Sequence, residues 1–191
     1  YNADSDEWCL KIDSYTVGIF SIKKDNQSEI SCFIYDKKKH LEIANKKSSI
    51  NNFVKTNNYT FRRISSDKNQ FIEIRRVNNL LVTSKNGKTT KHSIDINIDR
   101  LVAQSFGYAF TKVLVNDKGR EREYKFKILG KDTISSPFGL TEVLIVKKSI
   151  DQSKRSTITW YSIENNYIPI MIEQYRLDKL EVTAKLINLK Q

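Results

Sequence analysis

Apolar and polar positions alternate along most of this chain. Trp8, Leu10 and Ile12 fall at period two, and after a break Tyr15, Val17, Ile19 and Ser21 do the same. That spacing sets one face of a β-strand against a core. Asp25, Asn26 and Gln27 read as a turn. Ile30, Cys32 and Ile34 then alternate with Ser31, Phe33 and Tyr35, an apolar content that suits a strand covered on both faces. Leu41 and Ile43 open another strand. Further on, Tyr59, Phe61 and Arg63 share one face, opposite Thr60, Arg62 and Ile64. Residues 65–69 are a polar turn cluster, 71–74 a strand, Asn78 and Asn79 a tight turn, and 80–82 the returning strand. Asn86 and Gly87 are the strongest hairpin signal, because both residue types accept positive φ. Residues 40–94 therefore read as a meander of short strands.

The period changes once. Ile98, Leu101, Val102, Ser105, Phe106, Ala109, Phe110 and Val113 recur three and four residues apart, the stripe of an amphipathic helix near 97–114. Asp95 and Asn97 are candidate N-caps, and Asp99 suits the positive end of the helix dipole. Strands resume afterwards. Tyr124, Phe126 and Ile128 alternate with charges, residues 135–139 turn, and 141–148 is a strand. Residues 157–163 pair with 167–176 around Glu164, Asn165 and Asn166, and 177–179 turn into a last strand carrying Leu180, Val182, Ala184 and Leu186. Pro169 cannot donate to a ladder, so it marks an edge or a bulge.

Long antiparallel strands around one helix predict a mainly β fold. A curved antiparallel sheet, a half-barrel, wraps its concave apolar face around the helix near 97–114. The chain has 191 residues and shows no repeat or linker, so it reads as a single domain, 1–191. No apolar run approaches the roughly 18–20 residues that span a membrane, so a transmembrane chain is not expected. The single methionine is Met171 and the chain opens at Tyr1. The expectation is a removed segment, either a cleaved signal peptide or a trimmed start. Two cysteines, Cys9 and Cys32, allow one disulfide or two buried thiols, and the pattern leaves both open.

A net charge of +11 favours anionic partners. The basic residues are dispersed, however, and the runs at Lys37 to Lys39, Arg62 and Arg63, and Arg75 and Arg76 are short, so a solubilising surface accounts for them as well. Basic and aromatic residues interleave at Tyr59, Phe61, Arg62 and Arg63, as in sheets that stack nucleic-acid bases. With no helix-turn-helix or RNP-like pattern beside it, this reads as a strand with aromatics inward, and nucleic acid is not the expected partner.

Catalytic and metal chemistry find no motif. His40 and His92 lie far apart, without a Cys or carboxylate at ligand spacing, and read as surface residues; no metal site follows. The six glycines form no phosphate-binding loop and no nucleophile elbow. Glu121 and Glu123 are spaced as ordinary solvent-facing alternation. No enzyme and no cofactor are expected.

The C-terminal third resembles a known family. Ser135, Ser136, Pro137, Phe138 and Gly139 are similar to its small-Pro-Leu-Gly turn. Thr157, Trp160, Tyr161, Tyr167, Pro169 and Glu173 resemble its T-x-x-W and Y-x-P-x-x-x-E hairpin. Asp99 and Leu101 match its Asp-x-Leu helix start, and Val17 with Gly18 its early strand bend. The chain is identified on these residues as a member of the bacterial domain of unknown function family 3108. The resemblance implies an exported, periplasmic protein of the cell envelope and a shape similar to the half-barrels of lipoprotein carriers, which hold acyl chains on the concave face. It transfers no enzymatic activity.

The pattern and the resemblance together make an apolar or amphiphilic ligand the first functional reading: a lipid, lipopolysaccharide or other anionic envelope component, or a lipidated partner. Its candidate ligand-binding residues are Leu101, Val102, Phe106 and Phe110 on the helix stripe, with Trp160 and Ile170 on the hairpin. The alternative is an envelope protein- or glycan-interaction module with a packed core and no small ligand.

Overall fold

A computed structural model describes residues 7–14, 25–36 and 53–187. Its strands are β1 (Glu7–Ser14), β2 (Asp25–Tyr35), β3 (Val54–Ser65), β4 (Asn69–Val77), β5 (Leu80–Lys85), β6 (Lys88–Lys91) and β7 (Ile98–Asp99). The helix α1 (Arg100–Ser105) and a 3₁₀ turn (Gly107–Ala109) follow. The chain continues through β8 (Lys112–Asp117), β9 (Arg120–Ser136), β10 (Gly139–Ile150), β11 (Arg155–Ser162), β12 (Ile168–Arg176) and β13 (Lys179–Lys185). The strands predicted at Tyr15 to Ser21 and at Leu41 and Ile43, the bend at Val17 and Gly18, the Lys37–Lys39 run and His40 lie outside the described residues.

The mainly β expectation holds, with two sheets. β1 to β6 form one in chain order, antiparallel throughout. The second runs β13-β12-β11-β10-β9-β8-β7, antiparallel from β9 to β13 and parallel between β7 and β8. Among the described residues neither order closes into a barrel. The sequence reads as one domain, whereas the fold clusters into two compact units. The first comprises residues 1–103 and 114–122, the second 104–113 and 123–191.

In the first unit, alternation explains the core. Tyr59 and Phe61 of β3, Ile72 and Ile74 of β4 and Leu81 of β5 point to one face, where they pack with Ile96 and with Leu101 of α1. Each such fully buried side chain contributes about 1.5–3 kcal/mol. Asn78 and Asn79 (φ 48° and 66°) and Asn86 and Gly87 (φ 50° and 73°) make the two tight hairpins that hold this register. Asp25, Asn26 and Gln27 are not a turn: they are paired in β2 with Arg63, Ile64 and Ser65 of β3. The Arg63 guanidinium holds Asp25 there through two hydrogen bonds, of 2.9 and 2.6 Å. Cys9 and Cys32 sit directly opposite in the β1–β2 ladder and form a disulfide across a Cα separation of 4.0 Å, the close approach expected of a non-hydrogen-bonded antiparallel pair.

The helix is shorter than its apolar stripe. α1 covers only Arg100–Ser105, and the flanks of the predicted 97–114 segment are strand. The reason is pairing: Ile98 lies opposite Val115 and Asp99 opposite Asn116 in a parallel ladder, which commits both ends of the stripe to extended backbone. The cap is therefore Asp99, not Asp95 or Asn97. Asp99 Oδ1 accepts Leu101 N at 2.7 Å and Val102 N at 3.2 Å, serving the unpaired N–H groups of the first turn. Asn97 instead gives its carbonyl to Thr56 N and to Arg76.

In the second unit, Tyr124, Phe126, Val143, Val146, Tyr161 and Ile170 are buried. The alternation that puts Tyr124 and Phe126 inside ends at Ile128, which is exposed; the β9–β10 register shifts just beyond it, between Ile145 and Val146. β12 has neighbours on both sides, so Pro169 is no edge marker. The β11–β12 register shifts there instead, with Tyr161 opposite Pro169 and Trp160 opposite Met171, and the missing proline N–H falls in a bulge.

Candidate functional site

The β9–β10 turn and the β12–β13 hairpin meet in the second unit around a surface cavity of about 480 Å³. Ile134, Pro137, Ile170, Met171, Leu186 and Ile187 supply its apolar wall, with Ser135, Ser136 and Lys185 as its polar members. Local chemistry shapes each side. Ser136 Oγ lies 2.7 Å from Thr141 Oγ1 and accepts Phe138 N at 3.0 Å, which closes the turn and presents Pro137. The bulge at Pro169 rotates Ile170 inward, and Leu186 N donates to Ile170 O at 2.9 Å, carrying the chain beyond β13 along the cavity. The volume falls within the range of roughly 300–1,000 Å³ typical of small-molecule sites.

The predicted ligand residues are dispersed over both units. Ile170 lines the cavity. Trp160 is half-buried beside it, in one cross-strand row with Met171 and Lys185. Phe106 is half-buried with its ring 6.3 Å from Tyr108, and Phe110 is buried with its ring 6.0 Å from Phe126. Tyr108 stacks on Tyr167 at 4.3 Å and meets Tyr161 edge-on at 5.3 Å, so the loop after α1 is tied to β11 by aromatic contacts. Leu101 and Val102 are buried in the first unit, Leu101 within its core cluster. Ile134, Met171, Leu186, Ile187 and Lys185 were not singled out for the site. The Ser-Ser-Pro turn and the Pro169 hairpin were the signals that pointed to two of its walls.

The first unit holds a buried polar network. Glu29 accepts the Tyr59 hydroxyl at 3.0 Å, pairs with Arg100, and lies 3.3 Å from Lys118 Nζ. Burial pushes the Glu29 carboxyl up, but the Arg100 and Lys118 charges and the Tyr59 hydroxyl outweigh it and hold it below the usual range. Burial pushes Lys118 down, assisted by the Arg100 charge, and its ammonium sits 3.5 Å over the Phe61 ring. Asp99 is raised by burial, against four donors: the Ser31 and Thr56 hydroxyls and the Val102 and Leu101 amides.

His92 is buried, not on the surface as its sequence context suggests. Gly119 N donates to Asn116 Oδ1, which directs Asn116 Nδ2 to Thr83 Oγ1 at 3.0 Å. The Thr83 hydroxyl then lies 2.8 Å from His92 Nε2, and His92 Nδ1 lies 3.3 Å from the Glu121 carboxylate. Both ring nitrogens are thus satisfied, which is what makes a buried imidazole tolerable. Thr83 is itself buried, so this relay presents no hydroxyl to solvent. Among the described residues no group of three or more His, Cys, Asp or Glu is arranged to hold a metal ion, and no helix is long and apolar enough to cross a membrane.

The matched family segment begins at the capped helix and ends in β13. The model that matches is described as a protein of unknown function (DUF3108), over residues 100–183. Residues 100–183 are similar to that family. This segment contains the Asp-x-Leu helix from Arg100 onward, the Ser-Ser-Pro turn and the Trp160–Glu173 hairpin, and it excludes the early bend at Val17 and Gly18. The matched segment supplies Ile134 to Pro137, Ile170 and Met171 of the cavity; Lys185, Leu186 and Ile187 come just after it. No curated protein and no solved structure matches the chain.

Proposed function

We propose that this chain is a non-enzymatic protein of the bacterial cell envelope that takes up the apolar part of an amphiphilic ligand, a lipid or a lipidated partner, in the cavity between the β9–β10 turn and the β12–β13 hairpin. The observation that carries the proposal is the cavity's lining. Six apolar side chains bound about 480 Å³ with one charged group among them, the composition of a site that holds hydrocarbon by burial and orients it by a single polar contact. The Cys9–Cys32 disulfide supports an oxidising, exported location, and the net charge of +11 supports anionic envelope surroundings. The test is native mass spectrometry of protein exported to a periplasm, followed by extraction. A near-stoichiometric lipid in the wild type, lost in Met171→Asp and in Ile187→Asp with unchanged circular dichroism, is the expected result. Ile187 is 90% exposed, so its substitution leaves folding intact. A clean apo mass after incubation with envelope lipids would sink the proposal.

A second reading rests on β13. It ends the order of its sheet, and all seven of its residues are exposed. Such an edge can accept an extended segment of an envelope protein by strand addition. Thr183→Pro would then abolish capture of that partner while leaving lipid retention unchanged.

A further inference from the structure

The cavity wall is asymmetric in charge. Among its nine described lining residues, Lys185 is the only ionisable one. Lys185 lies directly opposite Met171 in the β12–β13 ladder and is exposed, so it can lay its methylenes beside an apolar wall residue and keep its charge in water. Other lysines near carboxylates are paired: Lys125 with Asp151 at 2.7 Å and Lys131 with Glu142 at 3.1 Å. No ion pair of Lys185 is among those formed by the described residues.

We infer that the ligand is a single-chain amphiphile with a monoanionic head, a carboxylate at the end of an acyl chain, whose charge meets Lys185 while the chain lies against Ile134, Ile170, Met171 and Leu186. The inference rests on the ligand-binding reading above and narrows it. One cation, with no carboxylate among the described lining residues, balances one negative charge. A neutral head would leave that ammonium without a counter-charge, and a cationic head would meet it with like charge. The Ser135 side chain, on the same wall, offers a hydroxyl to the second carboxylate oxygen.

The experiment uses the full chain and matched probes, palmitate and hexadecanol, measured by displacement of an apolar fluorophore from the protein. Palmitate binds tighter than hexadecanol by about tenfold, the value of one charge-assisted contact in a partly desolvated site. Lys185→Met levels the two probes by weakening palmitate alone, and Lys185→Glu reverses the order. Because Lys185 is exposed on an edge strand, both variants fold. Equal binding of the two probes to the wild type, or a palmitate preference untouched in Lys185→Glu, overturns the monoanionic head while leaving the ligand cavity standing. Failure of both probes, with no retained lipid in the native mass, overturns the cavity reading and this inference together.

Discussion

Thr56 and Asp99 hold each other through two hydrogen bonds: the Thr56 hydroxyl donates to Asp99 Oδ2 at 2.7 Å, and the Asp99 amide donates to Thr56 Oγ1 at 2.8 Å. Ser31 adds a second donor to the same carboxylate oxygen, at 2.5 Å. A single fully buried carboxylate thus joins β2, β3 and the start of α1. Asp99→Ala removes the cap and strands several buried donors, so it lowers stability by about 3 kcal/mol. Thr56→Val, which removes one hydroxyl, costs about 1–2 kcal/mol. Urea denaturation checks both, and an Asp99→Ala protein as stable as the wild type would show that the cap is redundant.

Glu29 makes the first unit sensitive to acid. Its folded value lies below the ordinary 4.5, so its ionised contribution is fully present above that pH and is lost as pH falls through the folded value. At neutral pH, Glu29→Gln lowers stability by about 3 kcal/mol, because Arg100 and Lys118 lose their buried partner. The gap between wild type and variant narrows on acidification. Asp99 acts with the opposite sign: its carboxyl is raised above 3.8, so its contribution is present below that pH and is lost as pH rises. Thermal melts of both proteins from neutral pH downward test this; a gap that stays constant would mean that Glu29 is not ionised in the fold.

Gly107 is required by close approach, not by backbone conformation. A Cβ there would meet Phe126 Cε1 and Tyr161 Oη, each at 2.6 Å. Neither atom can yield easily: Phe126 packs against Phe110 and Tyr124, and the Tyr161 hydroxyl donates to Gln104 O. Gly107→Ala therefore destabilises the second unit by about 2 kcal/mol, read as a lower denaturation midpoint. An unchanged midpoint would show that the loop can move away from β11.

Reduction acts on the other unit. The Cys9–Cys32 bond closes a loop with a sequence separation of 23, so the double Cys→Ser variant loses about 3 kcal/mol. Palmitate binding should survive, since the cavity residues all belong to the second unit. Hydrogen exchange in β1 and β2 reports the loss; a parallel loss of protection in β12 would contradict the assignment to separate compact units.

Much of the β architecture was legible because its cause is local. Period-two alternation placed the buried faces of β3 to β5, and the pairs Asn78 with Asn79 and Asn86 with Gly87 marked hairpins, since left-handed backbone is a property of those residue types. The hairpin through Trp160, Pro169 and Glu173 and the likeness of residues 100–183 to DUF3108 were legible for the same reason. What the sequence could not decide was pairing between distant segments. The stripe from Ile98 to Val113 has helical period throughout, yet its ends became strand because Ile98 found Val115 across a parallel ladder. Ile170 could be named as a site residue from its motif. The wall that Ile134, Leu186 and Lys185 build beside it arises only when the β9–β10 turn and the end of β13 are brought together in space. Periodicity reports which face a residue takes. Which faces meet depends on long-range contacts, and only the tertiary structure specifies them.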